Sequence, residues 1–115
     1  LGEAVGAVYM DYHAHIYWNN EAEKEKALSL RIFLHDNGCS LGRIRDRAVG
    51  PHPLPMYQAG YSEKIRVCIE EYLYSSNGGL SILLHENDGE DELRDHTAGA
   101  RWIGVALELD LSFFQ

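Results

Sequence analysis

The sequence has few cysteines, no long apolar run and less positive than negative charge. Its two cysteines, Cys39 and Cys68, are too far apart for a Cys-x-x-Cys site, and nothing marks a secreted disulfide scaffold. We therefore expect two free thiols in a reducing compartment, which indicates a cytoplasmic protein. The longest apolar stretches, such as residues 82–84, are far shorter than the roughly 20 residues that a membrane helix needs. We expect no membrane partner.

The charge balance argues against nucleic acid as a partner. The 115 residues include 10 Lys and Arg against 18 Asp and Glu, for a formal charge of −8, whereas phosphate binding needs a basic face. With 45% hydrophobic residues, the chain is expected to form one globular domain over residues 1–115. It begins with Leu1 rather than with methionine, so a preceding segment is compatible with the sequence.

The three prolines all lie in one short segment, residues 50–55. Proline cannot donate to a strand ladder, so this segment is predicted to be a stiff loop. Around it, apolar alternation predicts four strands, at residues 12–18, 41–49, 56–61 and 80–85. Helical spacing predicts a helix over residues 21–34, capped by Asn19 or Asn20, and a second helix from Ser62 to Asn77. Residues 98–103 are expected to be helical or irregular, and residues 105–114 to add a strand or to cover a face.

The order strand, helix, strand, strand, helix, strand predicts an α+β protein with the ferredoxin-like split βαβ fold, an antiparallel sheet with helices on one face and a C-terminal extension. We expect the sheet order 4-1-3-2, with strands 1 and 3 running one way and strands 2 and 4 the other. The start of strand 1, the end of strand 4 and the loop after strand 2 would then meet at one edge.

Histidine is unusually frequent, with six in the chain. In the first strand, alternation places Tyr12, Ala14, Ile16 and Trp18 on the core face and the two histidines of that strand on the opposite face. One further histidine lies in the proline loop, one ends the fourth strand and one follows it. We expect these five to converge on the open face of the sheet: His13, His15, His52, His85 and His96. His35 instead lies at a helix C-terminus, where a cation complements the helix dipole.

Converging imidazoles indicate a metal site. His13 and His15 lie two positions apart on one strand, about 6.6 Å along one face, and could tilt onto one ion together with a distant histidine. Three imidazole nitrogens suit iron, zinc or copper. A single histidine on a strand is more often a half-buried polar residue, but five that converge favour the metal site.

Other polar and aromatic residues allow two interpretations each. Arg47 could bind a substrate carboxylate, although the row that it forms with Arg43 and Arg45 is more typical of a solvated strand face. The acidic segment at residues 86–95 is expected to be mostly solvated, with Asp95 the residue that could serve the site. Tyr57 and Trp102 either stack on an aromatic substrate or pack in the core.

Several segments, in order, resemble the DOPA 4,5-dioxygenase family: Tyr12-His13-Ala14-His15-Ile16-Tyr17, Gly50-Pro51-His52-Pro53 with Met56-Tyr57-Gln58, Gly79 to His85, and Asp95-His96-Thr97 with Trp102-Ile103-Gly104. The resemblance implies a small ferredoxin-like homodimer that cleaves a catechol ring in the extradiol manner with O₂. It also implies a non-haem metal, iron(II) first, with zinc or another divalent ion as the alternative in purified protein. Glu86 and Asp88 depart from the family pattern, so an altered or lost substrate is compatible with the sequence.

On this resemblance we interpret His13, His15 and His85 as metal ligands and His52 and His96 as the acid and base. Spacing alone does not decide which histidines are ligands. The substrate would contact Arg47, Tyr57 and Trp102. Two alternatives come from other classes: a non-catalytic dimeric module that binds a metal or an aromatic ligand, and a histidine face buried in a dimer interface.

Overall fold

A computed structural model describes residues 10–87 and 91–114, and in this part of the chain it shows one antiparallel five-stranded sheet in the order β2-β3-β1-β4-β5. The strands are β1 Tyr12–Tyr17, β2 Ser40–Leu41, β3 Met56–Tyr61, β4 Ile82–Glu86 and β5 Ala100–Ile103. The α-helices are α1 Glu21–Asp36, α2 Arg66–Ser76 and α3 Glu92–Asp95, and short 3₁₀ turns cover Glu63–Ile65 and Leu111–Phe114. The ferredoxin-like α+β fold is confirmed, with β5 added at one edge.

The expected strand directions were wrong. β1 is antiparallel to both β3 and β4, so it runs parallel to β2 on the far side of β3. The physical reason is that the helical crossover between β1 and β2 returns the chain in its original direction. As expected, the start of β1 lies beside the end of β4. The proline loop before β3, however, meets the end of β1.

The first helix follows its predicted cap. The side chain of Asn20 accepts a hydrogen bond from the Glu23 N–H at 2.9 Å, and the Glu23 carboxylate accepts one from the Asn19 N–H at 2.8 Å. These contacts satisfy N–H groups that a helix start leaves open. The helix continues to Asp36, two residues beyond the prediction, and buries Ala27, Leu30 and Leu34 against the sheet.

The predicted second strand at residues 41–49 was largely wrong. Only Ser40–Leu41 form a strand, followed by an isolated bridge between Arg45 and Met56. β2 is an edge strand whose single neighbour in the described sheet is β3, so no second strand extends the pairing of this segment. Its three arginines are exposed, in agreement with the solvated interpretation.

The C-terminal region also differs from the prediction. Residues 100–103 form a strand that pairs with Ile82–His85 of β4, whereas a helical or irregular segment was expected. Within the described part of the tail, no strand follows β5. Instead Leu107 and Leu109 pack against Tyr17, Met56 and Leu83, so the tail covers a face.

The two faces of the sheet carry different residues. One core cluster contains Ala14 and Ile16 of β1, Trp18 directly after that strand, the alternate β4 residues Ile82 and Leu84, and the inner residues of α1 and α2. The face assignment of the first strand is therefore confirmed, and the histidines lie on the face away from the two long helices. Cys39 is buried, Cys68 is exposed, and both are free thiols. No helix among the described residues is both long enough and apolar enough to cross a membrane.

Candidate metal centre

The pairing of β1 with β4 brings three histidines together. His13 lies directly opposite His85 in the strand register, and their ring centroids are 5.3 Å apart. His15 follows on the same face of β1, with its Nε2 atom 3.0 Å from Nε2 of His85. Both His15 and His85 are buried. Sheet register therefore places the three predicted metal ligands side by side.

Two loops bring the other two histidines onto this group. The ring centroid of His15 lies 4.4 Å from that of His52 and 5.4 Å from that of His96. The proline loop presents His52, whose Nδ1 atom is 2.7 Å from the Tyr17 hydroxyl. His96 follows α3, and its ring lies 4.3 Å from that of His85. The five histidines thus meet as the sequence predicted.

These side chains line a cavity of about 180 Å³, called here the histidine cavity. Phe114 stacks near His96, with 4.8 Å between the ring centroids. The Asp110 N–H donates to the Pro51 carbonyl at 2.9 Å, which ties the tail to the proline loop. Both segments therefore cover the cavity. Besides the five histidines, its described lining residues are Pro51, Gln58, Asn87, Glu92, Asp95 and Phe114.

Backbone carbonyls fix the tautomers of two histidines. Nδ1 of His85 lies 2.7 Å from the Glu86 carbonyl oxygen, and Nδ1 of His96 lies 2.8 Å from that of Glu92. A carbonyl oxygen only accepts, so both Nδ1 atoms carry the proton and donate. The Nε2 atom of each neutral ring then carries a lone pair, which in His85 faces Nε2 of His15. A backbone carbonyl is a usual partner for the second nitrogen of a metal-binding imidazole.

The tautomer of His52 is the opposite one. Burial raises the pKa of Tyr17 well above its usual range, so the phenol keeps its proton. The hydroxyl donates to Nδ1 of His52, and a neutral His52 then carries its own proton on Nε2. His52 is consequently an N–H donor at this nitrogen, whereas His85 and His96 offer lone pairs.

Burial lowers the pKa of four of these imidazoles, those of His13, His15, His52 and His85, and so favours their neutral form. It lowers the pKa of His13 and of His52 to about 4, and repulsion from His96 adds to the effect. For His85, burial lowers the pKa to about 3, although the hydrogen bond to the Glu86 carbonyl acts in the opposite direction. The pKa of His15 also falls well below its ordinary value, through burial and its four histidine neighbours. Neutral imidazole is the form that binds a metal.

The donor set fits a divalent ion. Two overlapping groups, His13 with His15 and His85, and His15 with His52 and His96, each have their ligand atoms within 4.8 Å of one another. Two nitrogens bound at about 2.1 Å and at right angles would lie about 3.0 Å apart, as Nε2 of His15 and Nε2 of His85 do. Nδ1 of His15 is buried and has no hydrogen-bond partner among the described residues, which is unusual for a buried polar atom.

The acidic residues supply fewer candidate metal ligands than the histidines do. No carboxylate of the described residues belongs to either ligand group. Asp95 is buried and lines the histidine cavity, in line with its selection from the sequence, while Glu86 is exposed. Asp88 and Glu90 of the predicted acidic segment lie outside the described residues.

The three residues predicted to contact substrate lie in different places. Trp102 stacks on Tyr17 at 5.8 Å between centroids, on the histidine face. Tyr57 lies on the opposite face, fully buried, and its hydroxyl donates to the Ala27 carbonyl at 2.6 Å. Arg47 is exposed and does not line the histidine cavity. The expected site roles of Tyr57 and Arg47 are therefore corrected: one is a core residue and the other a surface residue.

Tyr17 and Phe114 are among the residues of the site that the sequence did not indicate. The alternation of β1 puts Tyr17 on the same face as His13 and His15, but the contact of Tyr17 with His52 depends on how the proline loop folds back. Phe114 lies in the tail, where no pattern in the sequence indicates which segment it will cover.

Comparison of the sequence with known proteins identifies one family. The sequence profile of the Dopa 4,5-dioxygenase family matches residues 12–113. Over 111 aligned residues the chain is 36% identical to a DOPA 4,5-dioxygenase of Amanita muscaria, covering 89% of this chain and 48% of that protein. It is 32% identical to an uncharacterized 21.2 kDa protein of Botryotinia fuckeliana, covering 89% and 61%. The chain thus spans about half to three fifths of the length of these curated relatives.

The fold also matches a solved structure. A crystal structure of a "putative dioxygenase" from Nostoc punctiforme superposes with a TM-score of 0.85 at 30% identity. The match covers 98% of this chain and 96% of that one. The similarity therefore extends over the whole described fold, including the strands and loops that bring the histidines together.

Proposed function

The chain belongs to the Dopa 4,5-dioxygenase family, and from that premise we propose that it is a non-haem metal-dependent extradiol dioxygenase that opens a catechol ring with O₂. The observation that supports this proposal is the convergence of five histidines in one covered cavity. Imidazoles that converge in this number, three of them buried, suit a metal that must keep open positions for its substrates.

We assign His13, His15 and His85 as the residues that hold the metal. His15 and His85 are buried, their Nε2 atoms are 3.0 Å apart, and the Glu86 carbonyl leaves Nε2 of His85 free to bind. His13 completes the group from the position opposite His85. When bound, iron(II) would bring the two catechol oxygens and O₂ together and supply the electron transfer that ring opening needs.

We assign His96 as the base and His52 as a hydrogen-bond donor. Because Nδ1 of His96 donates to the Glu92 carbonyl, its Nε2 atom can accept a proton from a catechol hydroxyl. His52 has the opposite tautomer, set by Tyr17, so its Nε2–H can donate a hydrogen bond to a developing negative charge. The two tautomers thus give one histidine the role of base and the other the role of hydrogen-bond donor.

The covering segments would exclude water from the reaction. Phe114 lies over His96, and the proline loop presents Pro51 at the same cavity. Trp102, one strand away, is the aromatic side chain on this face that could contact the substrate. A covered site strengthens the hydrogen bonds that His52 and His96 make there.

The test is reconstitution of the purified chain with iron(II) without air, followed by addition of L-DOPA or a simpler catechol and then of air. We expect oxygen uptake and a yellow ring-opened product. His96→Gln should keep the iron and lose turnover, whereas His35→Gln, an exposed histidine outside the cavity, should match the unmodified protein. An absence of oxygen uptake across a panel of catechols would overturn the enzymatic assignment.

The same experiment separates the alternatives. A non-catalytic binding module would bind iron and a catechol without consuming oxygen. A histidine face that is buried between two subunits would bind no metal in the assembled protein, and its oligomeric state would be sensitive to substitution of His13. The expected homodimer is part of our proposal, and gel filtration with light scattering tests it independently of activity.

A further inference from the structure

One nitrogen of the histidine cavity has no hydrogen-bond partner. Nδ1 of His15 is buried and makes no hydrogen bond with any of the described residues. The rings of His52, His85 and His96 each have a partner at Nδ1, a hydroxyl for the first and a backbone carbonyl for the other two. His15 is also the most buried of these rings, with 2% of its surface exposed. A buried polar atom is rarely left without a partner, so Nδ1 of His15 is exceptional in this cavity.

The contact with His85 sets the tautomer of His15 in the metal-free chain. Because Nδ1 of His85 carries the proton of that ring, Nε2 of His85 can only accept. Nε2 of His15, 3.0 Å away, is then the donor, and Nδ1 of His15 carries a lone pair. If His15 holds a metal through Nε2, the arrangement is reversed, since the proton of the neutral ring must then lie on Nδ1.

His15 therefore needs an acceptor at Nδ1 when it serves as a metal ligand. Metal-binding imidazoles almost always donate their second N–H to a carboxylate, a carbonyl or a water molecule. For His85 the Glu86 carbonyl is that acceptor. The acceptor for His15 is then expected among the polar side chains that line the histidine cavity.

Gln58 is the polar residue that the sheet places beside His15. It lies directly opposite His15 in the register of β1 with β3, and it lines the histidine cavity. The Cβ atoms of residues paired in this way lie about 4.5–5.5 Å apart on one face. The backbone carbonyl of Gln58 accepts from the Gly42 N–H at 2.7 Å, but its side-chain amide makes no hydrogen bond with the described residues. A buried nitrogen and an amide, both without partners, thus lie across from each other on neighbouring strands.

An amide is suited to both tautomers of His15. Its NH₂ group can donate to a lone pair on Nδ1, and after a half-turn of the amide its carbonyl oxygen can accept from Nδ1–H. The other buried acceptor that lines the cavity is the carboxylate of Asp95. Asp95 belongs to α3, and no strand register places it opposite His15. The register therefore favours Gln58.

We propose that Gln58 is a positioning residue for the metal ligand His15, and that its side-chain carbonyl accepts the hydrogen bond from Nδ1–H when His15 holds the metal through Nε2. This inference rests on the proposed function for the metal itself. The hydrogen bond fixes the tautomer in which Nε2 of His15 is free to bind. It also holds the ring at the orientation that the metal requires.

Equilibrium dialysis of the metal-free protein with iron(II), without air, tests the proposal by binding alone. Gln58→Leu keeps an uncharged side chain of similar size but has no acceptor, and it should lower the iron affinity by about 10- to 100-fold. Gln58→Glu keeps the acceptor and should bind iron at least as tightly as the unmodified protein. Asn19→Leu, which removes an exposed amide outside the cavity, should leave the affinity unchanged.

Urea unfolding of the metal-free variants separates positioning from a merely structural role. The Gln58 amide makes no hydrogen bond with the described residues of the metal-free chain, so Gln58→Leu should leave the urea midpoint unlowered while the iron affinity falls. Loss of a packing role would lower both. In zinc-loaded protein, proton NMR should show one more slowly exchanging imidazole N–H signal for the unmodified chain and Gln58→Glu than for Gln58→Leu.

The outcomes distinguish this inference from the proposed function. An unchanged iron affinity in Gln58→Leu would overturn the assignment of Gln58 alone, and a loss of affinity in Asp95→Asn would then identify Asp95 as the acceptor. Equal losses in Gln58→Leu and Gln58→Glu would also overturn it, because only one of these variants lacks an acceptor. If the unmodified chain binds no iron, the metal assignment and this inference are both contradicted.

Discussion

Nε2 of His15 and Nε2 of His85 lie 3.0 Å apart although the two residues are separated by 70 positions in the sequence. The register of β1 against β4 sets this separation, because His13 pairs with His85 and His15 follows on the same face. In a chain without a metal, two facing imidazole nitrogens can share at most one proton. An ion bound by both lone pairs would accommodate the same separation.

Substitution of His85 should therefore remove the metal. We expect His85→Ala to lower iron(II) affinity by more than the 10- to 100-fold that typically follows loss of a ligand's hydrogen-bond partner. Equilibrium dialysis with iron analysis measures this directly. His35→Ala is the matched control, since His35 is exposed and its nearest partner is Asp36. An unchanged iron content in His85→Ala would show that the ligands lie elsewhere.

The hydrogen bond from Tyr17 to His52 should matter for turnover more than for metal binding. Tyr17→Phe leaves Nδ1 of His52 without its donor and frees the ring to adopt either tautomer, so kcat should fall while iron content stays the same. The lost buried hydrogen bond should lower the free energy of unfolding by about 1–3 kcal/mol.

Tyr57→Phe is the matched control for that variant. It removes a buried tyrosine hydrogen bond, to the Ala27 carbonyl, on the helix-covered face of the same sheet. We expect a similar loss of stability with kcat unchanged. Equal effects of the two variants on kcat would mean that Tyr17 acts only through stability.

The stability of the metal-free protein should fall as the pH falls from about 6.5 towards 4. Unfolded histidines bind protons below about pH 6.5, whereas burial holds the pKa values of His13 and His52 at about 4 and that of His85 at about 3 in the folded chain. The unfolded state then binds more protons, so acid favours unfolding. Urea unfolding at pH 7, 6 and 5 measures the slope.

A variant provides the control for the pH effect. His85→Gln removes one of the depressed groups, so its stability should depend less steeply on pH over this range than that of the unmodified protein. Carboxyl groups titrate mainly at lower pH. The change in the free energy of unfolding between pH 7 and 5 is therefore expected to come mainly from the histidines. A stability that stays constant over that interval would contradict the neutral buried cluster.

Gly104 should tolerate no side chain, because it turns the chain from β5 into the tail. Its φ is +76°, and an added Cβ would lie 2.5 Å from the Leu80 carbonyl oxygen, a backbone atom that cannot move aside. Gly79→Ala is the matched control, with a φ of +86° and no atom within 4 Å of the added Cβ. Thermal unfolding should show a loss of about 1–2 kcal/mol for Gly79→Ala and a clearly larger loss for Gly104→Ala. Equal losses would contradict the close approach.

The face pattern of β1 could be predicted from the sequence because it is local. Alternation alone assigned Ile16 to the core and His15 to the open face, and the fold follows from the order of the elements. Strand direction and register are not local. The prediction that strands 1 and 3 run in the same direction was wrong for this reason. The predicted convergence of His13 with His85 is nevertheless confirmed, because β1 and β4 are antiparallel.

The site roles of single residues were harder to predict. Tyr57 and Trp102 are both aromatic residues in short strands, and only the register shows that Tyr57 faces the helices while Trp102 faces the histidine side. Arg47 lies in an alternating pattern, but it belongs to no strand of the described sheet, so the pattern does not determine where its side chain lies. The contact of Phe114 with His96 joins a tail to a loop, and no periodicity in the sequence specifies such a contact.

We expect the histidine cavity to hold one catalytic metal ion, and the number of ions bound per chain measures this. Metal-free protein titrated with iron(II) without air should bind one ion per chain, and X-ray absorption should show imidazole nitrogens at about 2.1 Å. His13→Ala, His15→Ala and His85→Ala should each reduce that number, and His35→Ala should not. Binding of no ion, or of an ion whose affinity none of the three substitutions changes, would contradict the account.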